Sequence, residues 1–337
     1  MFNFDEARFL AIQSGAVGLA AQVDRVVDQL LQAGARNAIF LGTGGAGILM
    51  QPAQQLLAER SGFGSLLRLP AELVLGGERQ LGPQSIVVMP SLSGTTQESI
   101  TALDYCRQRG AKVVALVGHA DTPLGRGADH ALVNFAEDDT SSESFYLQSL
   151  LLVLSILRRR GELEGRDAVL AELQRLPALL LAVKRAFEPQ AEAFAEQVRD
   201  VPYHIISGAG STWPEAFYYG MCILEEMQWI RTRPVHAADF FHGTLELLER
   251  DVSILLFKGE DAMRPLVERV EAFARRISGQ VHVFDCAAFE LPGISAGTRA
   301  LISPVLLATV LERVSAHLEH KRNHPLTTRR YYKRVPY

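Results

Sequence analysis

The sequence predicts an α/β protein with two tandem domains, each a parallel sheet flanked by helices in a flavodoxin-like, doubly wound, three-layer sandwich. Two observations support this fold class. Short aliphatic and β-branched runs alternate with longer helical patterns along the 337 residues, which is the order of elements in βαβ units. In addition, the strand-like runs of the first half recur in the second half at an almost constant spacing.

Each predicted element rests on its local pattern. Short apolar runs are typical of strands buried on both faces of a parallel sheet, whereas longer segments with recurrent apolar positions are typical of helices. The predicted strands are Asn37–Leu41, Ser85–Met89, Lys112–Val117, His130–Phe135, Tyr203–Ser207, Val252–Phe257 and Gln280–Phe284. The predicted helices between or after them are Ala53–Arg60, Glu98–Arg109, Ser144–Arg160, Glu215–Ile230 and Met263–Ile277.

The spacing between the two halves indicates an internal duplication. Three pairs of strand segments align at offsets of 166, 166 and 167 residues, and an almost constant offset through several strands is better support than any single match. The aligned segments are Phe40–Gly44 with Ile206–Gly210, Ile86–Pro90 with Val252–Leu256, and Val114 with Val281. We therefore predict a first domain over residues 1–163 and a second domain over residues 164–337.

The second domain is expected to begin with linker helices and to end in a tail. Residues Arg166–Val198 lack glycine and are rich in alanine, leucine and glutamate, so they predict helices, with breaks near Pro177 and Pro189. The tail Lys321–Tyr337 is basic and aromatic and shows no helical stripe.

The composition excludes several classes of partner. The net charge is −4, from 34 basic and 38 acidic residues, so no broad basic field is available for nucleic acid. The most apolar run, Leu147–Leu157, is too short to span a bilayer, and the acidic start lacks the n-region of a signal peptide. Cys106, Cys222 and Cys286 form neither a disulfide framework nor a zinc pattern. We therefore expect a cytoplasmic protein without a metal centre or a membrane partner.

A loop rich in hydroxyl groups, Ser91–Gln97, joins a predicted strand to a predicted helix. The hydroxyls of Ser91, Ser93 and Thr96, with loop and helix N-terminal amides, can surround a phosphate, which the helix dipole also favours. The alternative is a capping box, but a cap needs one hydroxyl and this loop offers four. The equivalent loop of the second half, Phe257–Asp261, has no serine or threonine and carries two acidic residues. The sequence therefore predicts one phosphate site, in the first half.

Two further segments of the first half are open to a functional or a structural interpretation. Gly42–Gly47 follows a strand and matches the weak pattern G-x-G-x-x-G; either the backbone at Gly42 and Gly44 approaches a phosphate or a sugar, or the turn is close without a ligand. Nicotinamide binding is disfavoured because Glu72, the candidate ribose-binding acid, lies outside a clear strand, so no cofactor is expected. Ser141 either contacts a sugar hydroxyl or belongs to an N-cap segment.

Glu226 and His242 are the candidate acid–base pair. Glu226 lies in a predicted helix, and His242 follows sixteen positions later, in Phe240–Gly243. A carboxylate and an imidazole can move a proton onto or off a sugar carbon without a metal or a cofactor. The apolar neighbours of Glu226 predict a half-buried side chain with a raised pKa, which suits proton transfer. The structural alternatives are a solvated helix face and an ordinary loop histidine.

At these residues the chain resembles the double sugar isomerase (SIS) domain proteins, over nearly its whole length. The Ser91–Thr96 loop resembles the phosphate loop in the isomerase half of glucosamine-6-phosphate synthase, and the spacing of Glu226 and His242 is similar to that of its base and ring-opening histidine. The chain resembles the ketosamine-6-phosphate deglycases more closely than it resembles the synthase. These enzymes cleave phosphorylated Amadori compounds such as fructoselysine 6-phosphate. The segments that carry this resemblance are Met227–Ile230, Phe240–Gly243 and His324–Tyr331.

The resemblance implies a reaction and a division of roles. A 6-phosphorylated ketosamine and water become glucose 6-phosphate and a free amino acid. The hydroxyl-rich loop holds the phosphate, His242 opens the ring, and Glu226 moves a proton between C1 and C2. A cation from the tail lies near C1 and C2, for which Lys333 and Arg334 are the candidates. The resemblance also implies a homodimer with the active site near its interface.

Other functions and the identity of the released amino acid stay open from the sequence. The alternatives are an aldose–ketose sugar-phosphate isomerase, an enzyme similar to glucosamine-6-phosphate deaminase, and a non-enzymatic sugar-phosphate sensor. A basic pocket for the amine half would favour an acidic or zwitterionic amino acid, and an acidic pocket would favour lysine. The residues expected to build that pocket are in the tail and nearby loops, such as Arg231, Arg233, His236, Arg329 and Tyr332.

Overall fold

Two parallel β-sheets contain the strands of the computed structural model, which describes residues 1–136, 142–163, 165–332 and 334–335 and, of residue 166, the backbone only. The chain divides into two compact units. The first unit comprises residues 6–177, and the second comprises residues 1–5 and 178–337.

The first unit contains a five-stranded parallel sheet with the strand order β2-β1-β3-β4-β5, which is the order of the flavodoxin-like fold. Val87 and Val88 point to opposite faces of this sheet and are both fully buried, as expected when helices cover both faces. The strands are β1 (Asn37–Leu41), β2 (Gly64–Arg68), β3 (Ser85–Ser91), β4 (Lys112–Val117) and β5 (His130–Val133). The helices are α1 (Glu6–Gly18), α2 (Ala20–Gln32), α3 (Gly44–Ile48), α4 (Gln51–Arg60), α5 (Pro70–Gly76), α6 (Gln97–Gln108), α7 (Pro123–Gly127) and α8 (Ser142–Arg159).

The second unit contains a four-stranded parallel sheet with the strand order β7-β6-β8-β9. Its strands are β6 (Tyr203–Gly208), β7 (Arg231–His236), β8 (Ser253–Lys258) and β9 (Val281–Asp285). Its helices are α10 (Trp213–Tyr218), a π-helix (Tyr219–Glu225), α11 (Arg264–Ile277) and α12 (Ala296–Arg322), with short 3₁₀ turns at Gly210–Thr212, Phe240–His242, Thr244–Leu247 and Cys286–Ala288. The long helix α9 (Arg166–Val198) contains the residue at which the two units divide.

The strand orders confirm the predicted duplication. Strands β1, β2, β3 and β4 hold the same positions in the first sheet as β6, β7, β8 and β9 hold in the second, and β5 extends the first sheet by one strand. All seven strands predicted from the sequence are present, with ends that differ by one or two residues. The α/β class and the two parallel sheets are therefore confirmed.

The two strands that the sequence pattern misses, β2 and β7, each lie at the edge of a sheet. Every residue of β2 is only partly buried, and β7 carries exposed arginines at Arg231 and Arg233 and a proline at Pro234. Proline is tolerated at a sheet edge because its missing N–H faces solvent. An edge strand of this kind lacks the continuous apolar run that identifies a central parallel strand.

Two helix predictions are wrong in detail. Helix α9 runs without a break through Pro177 and Pro189; an internal proline costs about 3 kcal/mol, which burial of several leucines in the same helix can outweigh. The predicted helix Glu215–Ile230 is instead divided into α10, the π-helix and a turn. Trp229 ends it with a positive φ of 57°, which an α-helix cannot continue through.

Among the described helices, α12 alone is long and apolar enough to cross a membrane. However, 89% of its most apolar window is buried inside the protein. Burial of this extent is typical of the core helix of a soluble protein, and one such helix is weak support for a membrane protein.

A buried ion pair between α9 and α12 fixes the first residues of the chain. Glu188 accepts hydrogen bonds from the backbone N–H of Phe2 and from Nε of Arg313, both at 2.7 Å, and Arg313 is fully buried. Burial by itself raises the pKa of Glu188, but the hydrogen bonds and the nearby positive charges outweigh it and lower the pKa to about 2.

Replacing Glu188 with glutamine should remove a stabilisation that depends on pH. Because the pKa of Glu188 is lowered from its ordinary value of 4.5, its contribution is fully present above about pH 4.5 and is lost as the pH falls toward 2. Denaturant unfolding of the wild type and of Glu188→Gln should show a difference in unfolding free energy that is largest at neutral pH. A difference that stays constant down to about pH 3 would contradict this.

Candidate active site

The hydroxyl-rich loop follows the carboxyl end of β3 and leads into α6. It therefore lies at the carboxyl end of the parallel strands, where doubly wound folds bind ligands. Ser91 is the last residue of β3 and is buried, whereas Ser93 is exposed. The hydroxyl oxygens of Ser91 and Thr96 are 3.5 Å apart, and the Thr95 hydroxyl donates to that of Ser93 at 3.0 Å. The loop therefore brings the predicted hydroxyl groups together at one end of the sheet.

The N-terminus of α6 is not capped by a side chain. Thr96 occupies the N-cap position, but its hydroxyl makes no capping hydrogen bond, so the capping-box alternative is wrong. The first N–H groups of a helix have no partner within the helix, and they carry the positive end of the helix dipole. This end of α6 can therefore receive an anion.

Gly94 sets the conformation of this loop. Its φ is 61°, and its N–H donates to Oγ of Ser91 at 3.1 Å. Its carbonyl accepts a hydrogen bond from the N–H of Leu124 at 3.1 Å. A Cβ at this position would lie 2.2 Å from Oγ1 of Thr122, so only glycine fits. The conformation of the loop is thus fixed by its contacts with Ser91, Thr122 and Leu124.

The equivalent loop of the second unit is filled by the chain's own charges. The carboxylate of Asp261 accepts hydrogen bonds from the N–H groups of Ser211 and Met263, at 2.9 and 2.8 Å, and from the hydroxyl of Ser211 at 2.5 Å. In the same loop, Glu260 pairs with Arg299 at 2.7 Å. This arrangement supports the prediction that the phosphate site lies in the first half.

The glycine-rich turn after β1 has a packing role in part. A Cβ on Gly42 would lie 2.4 Å from Cα of Gly47, so these two glycines let β1 and α3 approach each other closely. Gly44 has open space where a Cβ would be. The structural interpretation therefore accounts for Gly42, while Gly44 stays a candidate for ligand contact.

Glu226 directly follows the π-helix, and its side chain is 35% exposed. Its Oε1 accepts a hydrogen bond from Nε of Arg329 at 2.9 Å. An adjacent guanidinium favours the ionised carboxylate, which is the form that accepts a proton. Glu225 has a different role, because it accepts hydrogen bonds from the N–H and the hydroxyl of Thr232, at 3.2 and 2.5 Å, and so holds the π-helix against β7.

The tail contacts the segment that carries Glu226. Nε2 of Gln228 donates to the carbonyl oxygen of His324 at 2.8 Å, and the N–H of Leu326 donates to Oε1 of Glu319 at 2.9 Å. Arg329, which is 12% exposed, also donates from Nη1 to the carbonyl oxygen of Leu326 at 2.6 Å. Sequence analysis places Arg329 in a general amine-side pocket; the structure pairs it with Glu226.

His242 ends the 3₁₀ turn Phe240–His242 and is exposed. Its backbone N–H donates to the carbonyl oxygen of Asp239 at 2.9 Å. Within the described part of the chain its ring has no hydrogen-bond partner, so the ring is not hydrogen-bonded to Glu226 of the same chain. The imidazole is therefore available to a ligand or to another subunit.

The remaining predicted site residues are less informative. Ser141 and Lys333 lie outside the described residues. Arg334 is exposed in the tail, and Arg231 and Arg233 are exposed on the edge strand β7. Among the residues that the structure describes, no group of three or more His, Cys, Asp or Glu side chains is arranged to hold a metal ion.

Residues 32–158 match the family model described as the SIS domain. Residues 32–158 therefore carry a SIS domain, and the predicted resemblance is confirmed.

Its similarity to known proteins extends over both units. The chain is 29% identical over 328 residues to fructosamine deglycase FrlB of Bacillus subtilis. The alignment covers 94% of this chain and 98% of that protein. It is 28% identical to fructoselysine 6-phosphate deglycase of Escherichia coli O157:H7, covering 75% and 72% of the two chains. A solved Bacillus subtilis structure described as a phosphosugar isomerase matches with a TM-score of 0.87 at 27% identity, covering 95% of this chain and 99% of that one.

Replacing Gly94 with alanine should destabilise the protein through both its positive φ and the clash with Thr122. Gly34→Ala is the matched control, because Gly34 also has a positive φ, 92°, but nothing lies within 4 Å of its Cβ position. The control should cost about 1 kcal/mol of unfolding free energy, and Gly94→Ala roughly 1 kcal/mol or more beyond that. Denaturant unfolding compares them, and equal losses would mean that the Thr122 contact does not constrain the loop.

Proposed function

We propose that the protein is a ketosamine-6-phosphate deglycase. It converts a 6-phosphorylated ketosamine, such as fructoselysine 6-phosphate or another fructose–amino acid 6-phosphate, and water into glucose 6-phosphate and a free amino acid. The observation that carries the proposal is the end-to-end similarity to a fructosamine deglycase, over 94% of this chain and 98% of that protein. The half-buried carboxylate of Glu226, hydrogen-bonded to Arg329, supplies a base suited to this chemistry.

The reaction moves one proton between two carbons and breaks one C–N bond. Ring opening gives a chain with its carbonyl at C2 and the amine on C1. Removal of a proton from C1 gives an enaminol, and protonation at C2 turns this into an imine at C1. Water adds to the imine and the C1–N bond breaks, which leaves the aldehyde of glucose 6-phosphate and the free amine. Atoms and electrons balance with water as the only co-reactant.

Glu226 is the proposed base at C1 and the proposed acid at C2. Arg329 keeps its carboxylate ionised and fixes its position through the 2.9 Å hydrogen bond. A positioned acid–base group of this kind contributes about 10²- to 10⁴-fold in rate. The exposed imidazole of His242 is proposed to open the sugar ring, because imidazole exchanges protons readily near neutral pH.

Ser91, Ser93 and Thr96 are the proposed ligands of the 6-phosphate, together with the free amides of α6. Holding the phosphate makes the later proton transfer effectively intramolecular. Lys333 and Arg334 remain candidates for a cation near C1 and C2, on the basis of the family resemblance alone.

We further infer a cytoplasmic homodimer whose active site lies near the subunit interface. Cys106, Cys222 and Cys286 are all buried thiols, which fits a reducing compartment. The exposed, unpartnered ring of His242 fits a histidine that serves the site of a second subunit, as the family resemblance implies.

Glu226→Gln and His242→Ala should fold normally and lose about 100-fold or more in kcat. Glutamine keeps an oxygen that accepts the Arg329 hydrogen bond, so the first variant tests proton transfer and leaves the fold unchanged. Ser93→Ala is the contrasting variant, because loss of a phosphate contact should raise KM and leave kcat nearly unchanged. The assay follows glucose 6-phosphate released from a fructosamine 6-phosphate.

Normal turnover by Glu226→Gln or His242→Ala would remove these residues from the mechanism. A parallel assay with fructose 6-phosphate separates the deglycase from an aldose–ketose isomerase. Conversion of fructose 6-phosphate to glucose 6-phosphate, with no release of amine from any fructosamine phosphate, would replace the proposed function by isomerisation.

Mixing the two inactive variants should restore activity if His242 acts across the dimer. After subunit exchange at equal amounts, half of the dimers contain one subunit of each variant, and one of their two sites has both Glu226 and His242 intact. The recovered activity should be about one quarter of the wild-type value. Exchange is verified by native mass spectrometry, and no recovery in exchanged dimers would place both residues within one chain.

A further inference from the structure

We propose that Arg330, stacked on Trp229, binds a carboxylate carried by the amine half of the substrate. The inference rests on the proposed function, because that function assigns Glu226 to C1, the carbon that bears the amine. It deepens that function by assigning the side chain that distinguishes ketosamine phosphates formed from amino acids from those formed from simple amines.

The first support is the geometry of the stack. The guanidinium carbon of Arg330 lies 3.8 Å from the centroid of the Trp229 ring. The same ring packs against His324, with centroids 4.5 Å apart and the planes at 74°. A cation–π contact holds the planar guanidinium in place and leaves the N–H donors around its rim available. This is the arrangement that binds a carboxylate through two parallel hydrogen bonds.

The second support is charge. Arg330 is exposed and forms no ion pair with any acidic side chain among the described residues. Its neighbour Arg329 is already paired with Glu226. The sequence from Asn323 to Tyr337 contains no acidic residue. A fixed guanidinium without an ion-pair partner among the described residues attracts an anion.

The third support is the backbone of Trp229. Its φ of 57° lies in the left-handed region, where a bulky side chain is strained. Neighbouring hydrogen bonds maintain this conformation: the N–H of Trp229 donates to Glu225 at 3.2 Å, and the N–H of Ile230 donates to Leu224 at 2.8 Å. Strained conformations of this kind cluster at ligand clamps. Here the strained residue is the one whose ring carries Arg330.

The position of the stack assigns the anion to the amine half of the substrate. The 6-phosphate has its own proposed loop, and C1 and C6 are opposite ends of the hexose. Arg330 directly follows Arg329, which contacts Glu226, and Trp229 lies three residues after Glu226. Both residues of the stack are therefore close in the chain to the residue assigned to C1, where the amine is attached, or to the partner of that residue.

The test compares substrates that differ in whether they carry a carboxylate and in how far it lies from the reacting nitrogen. The three substrates are the fructosamine 6-phosphates of glycine, of methylamine and of the ε-amine of lysine. Methylamine is glycine without its carboxylate, and the lysine adduct carries its carboxylate farther from the reacting nitrogen. The four proteins are the wild type, Arg330→Met, Arg330→Lys and Arg60→Met. Arg60 is an exposed arginine at the end of α4, so its variant controls for the loss of one positive charge.

Arg330→Met should raise KM about 10- to 100-fold for an adduct whose carboxylate reaches Arg330, with little change in kcat and no change for the methylamine adduct. Arg330→Lys should restore only part of the binding, because lysine lacks the planar fork, and Arg60→Met should match the wild type. A selective loss with the glycine adduct places the carboxylate next to the reacting nitrogen, and a selective loss with the lysine adduct places it farther away; either supports the subsite.

Equal effects of Arg330→Met on all three adducts, or no effect on any, would overturn the subsite while leaving the deglycase function intact. Failure of the wild type to cleave any of the three adducts would overturn the deglycase function, and the subsite with it. Thermal unfolding of Arg330→Met at the wild-type temperature excludes a folding defect as the cause of any loss.

Discussion

The ion pair between Glu226 and Arg329 is the contact on which the candidate active site depends. It joins a carboxylate at the end of a π-helix to Arg329, which follows α12 and lies in none of the described helices or strands. Arg329 is only 12% exposed, so little water screens its attraction to this carboxylate. The ionisation of the proposed base and the placement of the tail are therefore one property of the molecule.

The irregular backbone around Glu226 serves that contact. A regular α-helix through Ile230 would end in a different direction from the segment observed, because the π-helix adds a residue to its turn and Trp229 reverses the chain with a positive φ. Gln228 and Trp229 then contact His324, and Glu226 contacts Arg329. Burial, with the nearby charge of Arg322, lowers the pKa of His324, so this ring packs against Trp229 as a neutral group.

The sequence predicts the fold well because central parallel strands have a strong pattern. The five central strands stand out as apolar runs, as do the edge strands β5 and β9, and the offset between the halves matches the two strand orders. The pattern does not predict the edge strands β2 and β7, because their exposed positions carry polar residues that interrupt the apolar run. Breaks at Pro177 and Pro189 are predicted wrongly, because a local sequence pattern does not show that tertiary packing buries α9.

The site is predicted less completely than the fold. Ser91, Ser93 and Thr96 are found because a strand–loop–helix junction rich in hydroxyls has a physical signature. The partner of Glu226 is not found, because Arg329 lies 103 positions away and only the folded chain brings the two together. The strained turn at Trp229 has no sequence signal either, since tryptophan rarely adopts that conformation. The contacts of the tail with Glu226, Gln228 and Trp229 are therefore known only from the structure.

The carboxylate of Asp261 amounts to a ligand that cannot dissociate. Because it is tethered to the chain, its loop in the second unit keeps its hydrogen bonds whatever metabolites are present. Among the described residues, the proposed phosphate loop of the first unit has no such internal occupant, and a site filled by a free anion gains stability with the logarithm of that anion's concentration. Two loops built on one scaffold thus differ in kind: the second is always satisfied from within the chain, whereas occupancy of the proposed phosphate loop follows the pool of sugar phosphate.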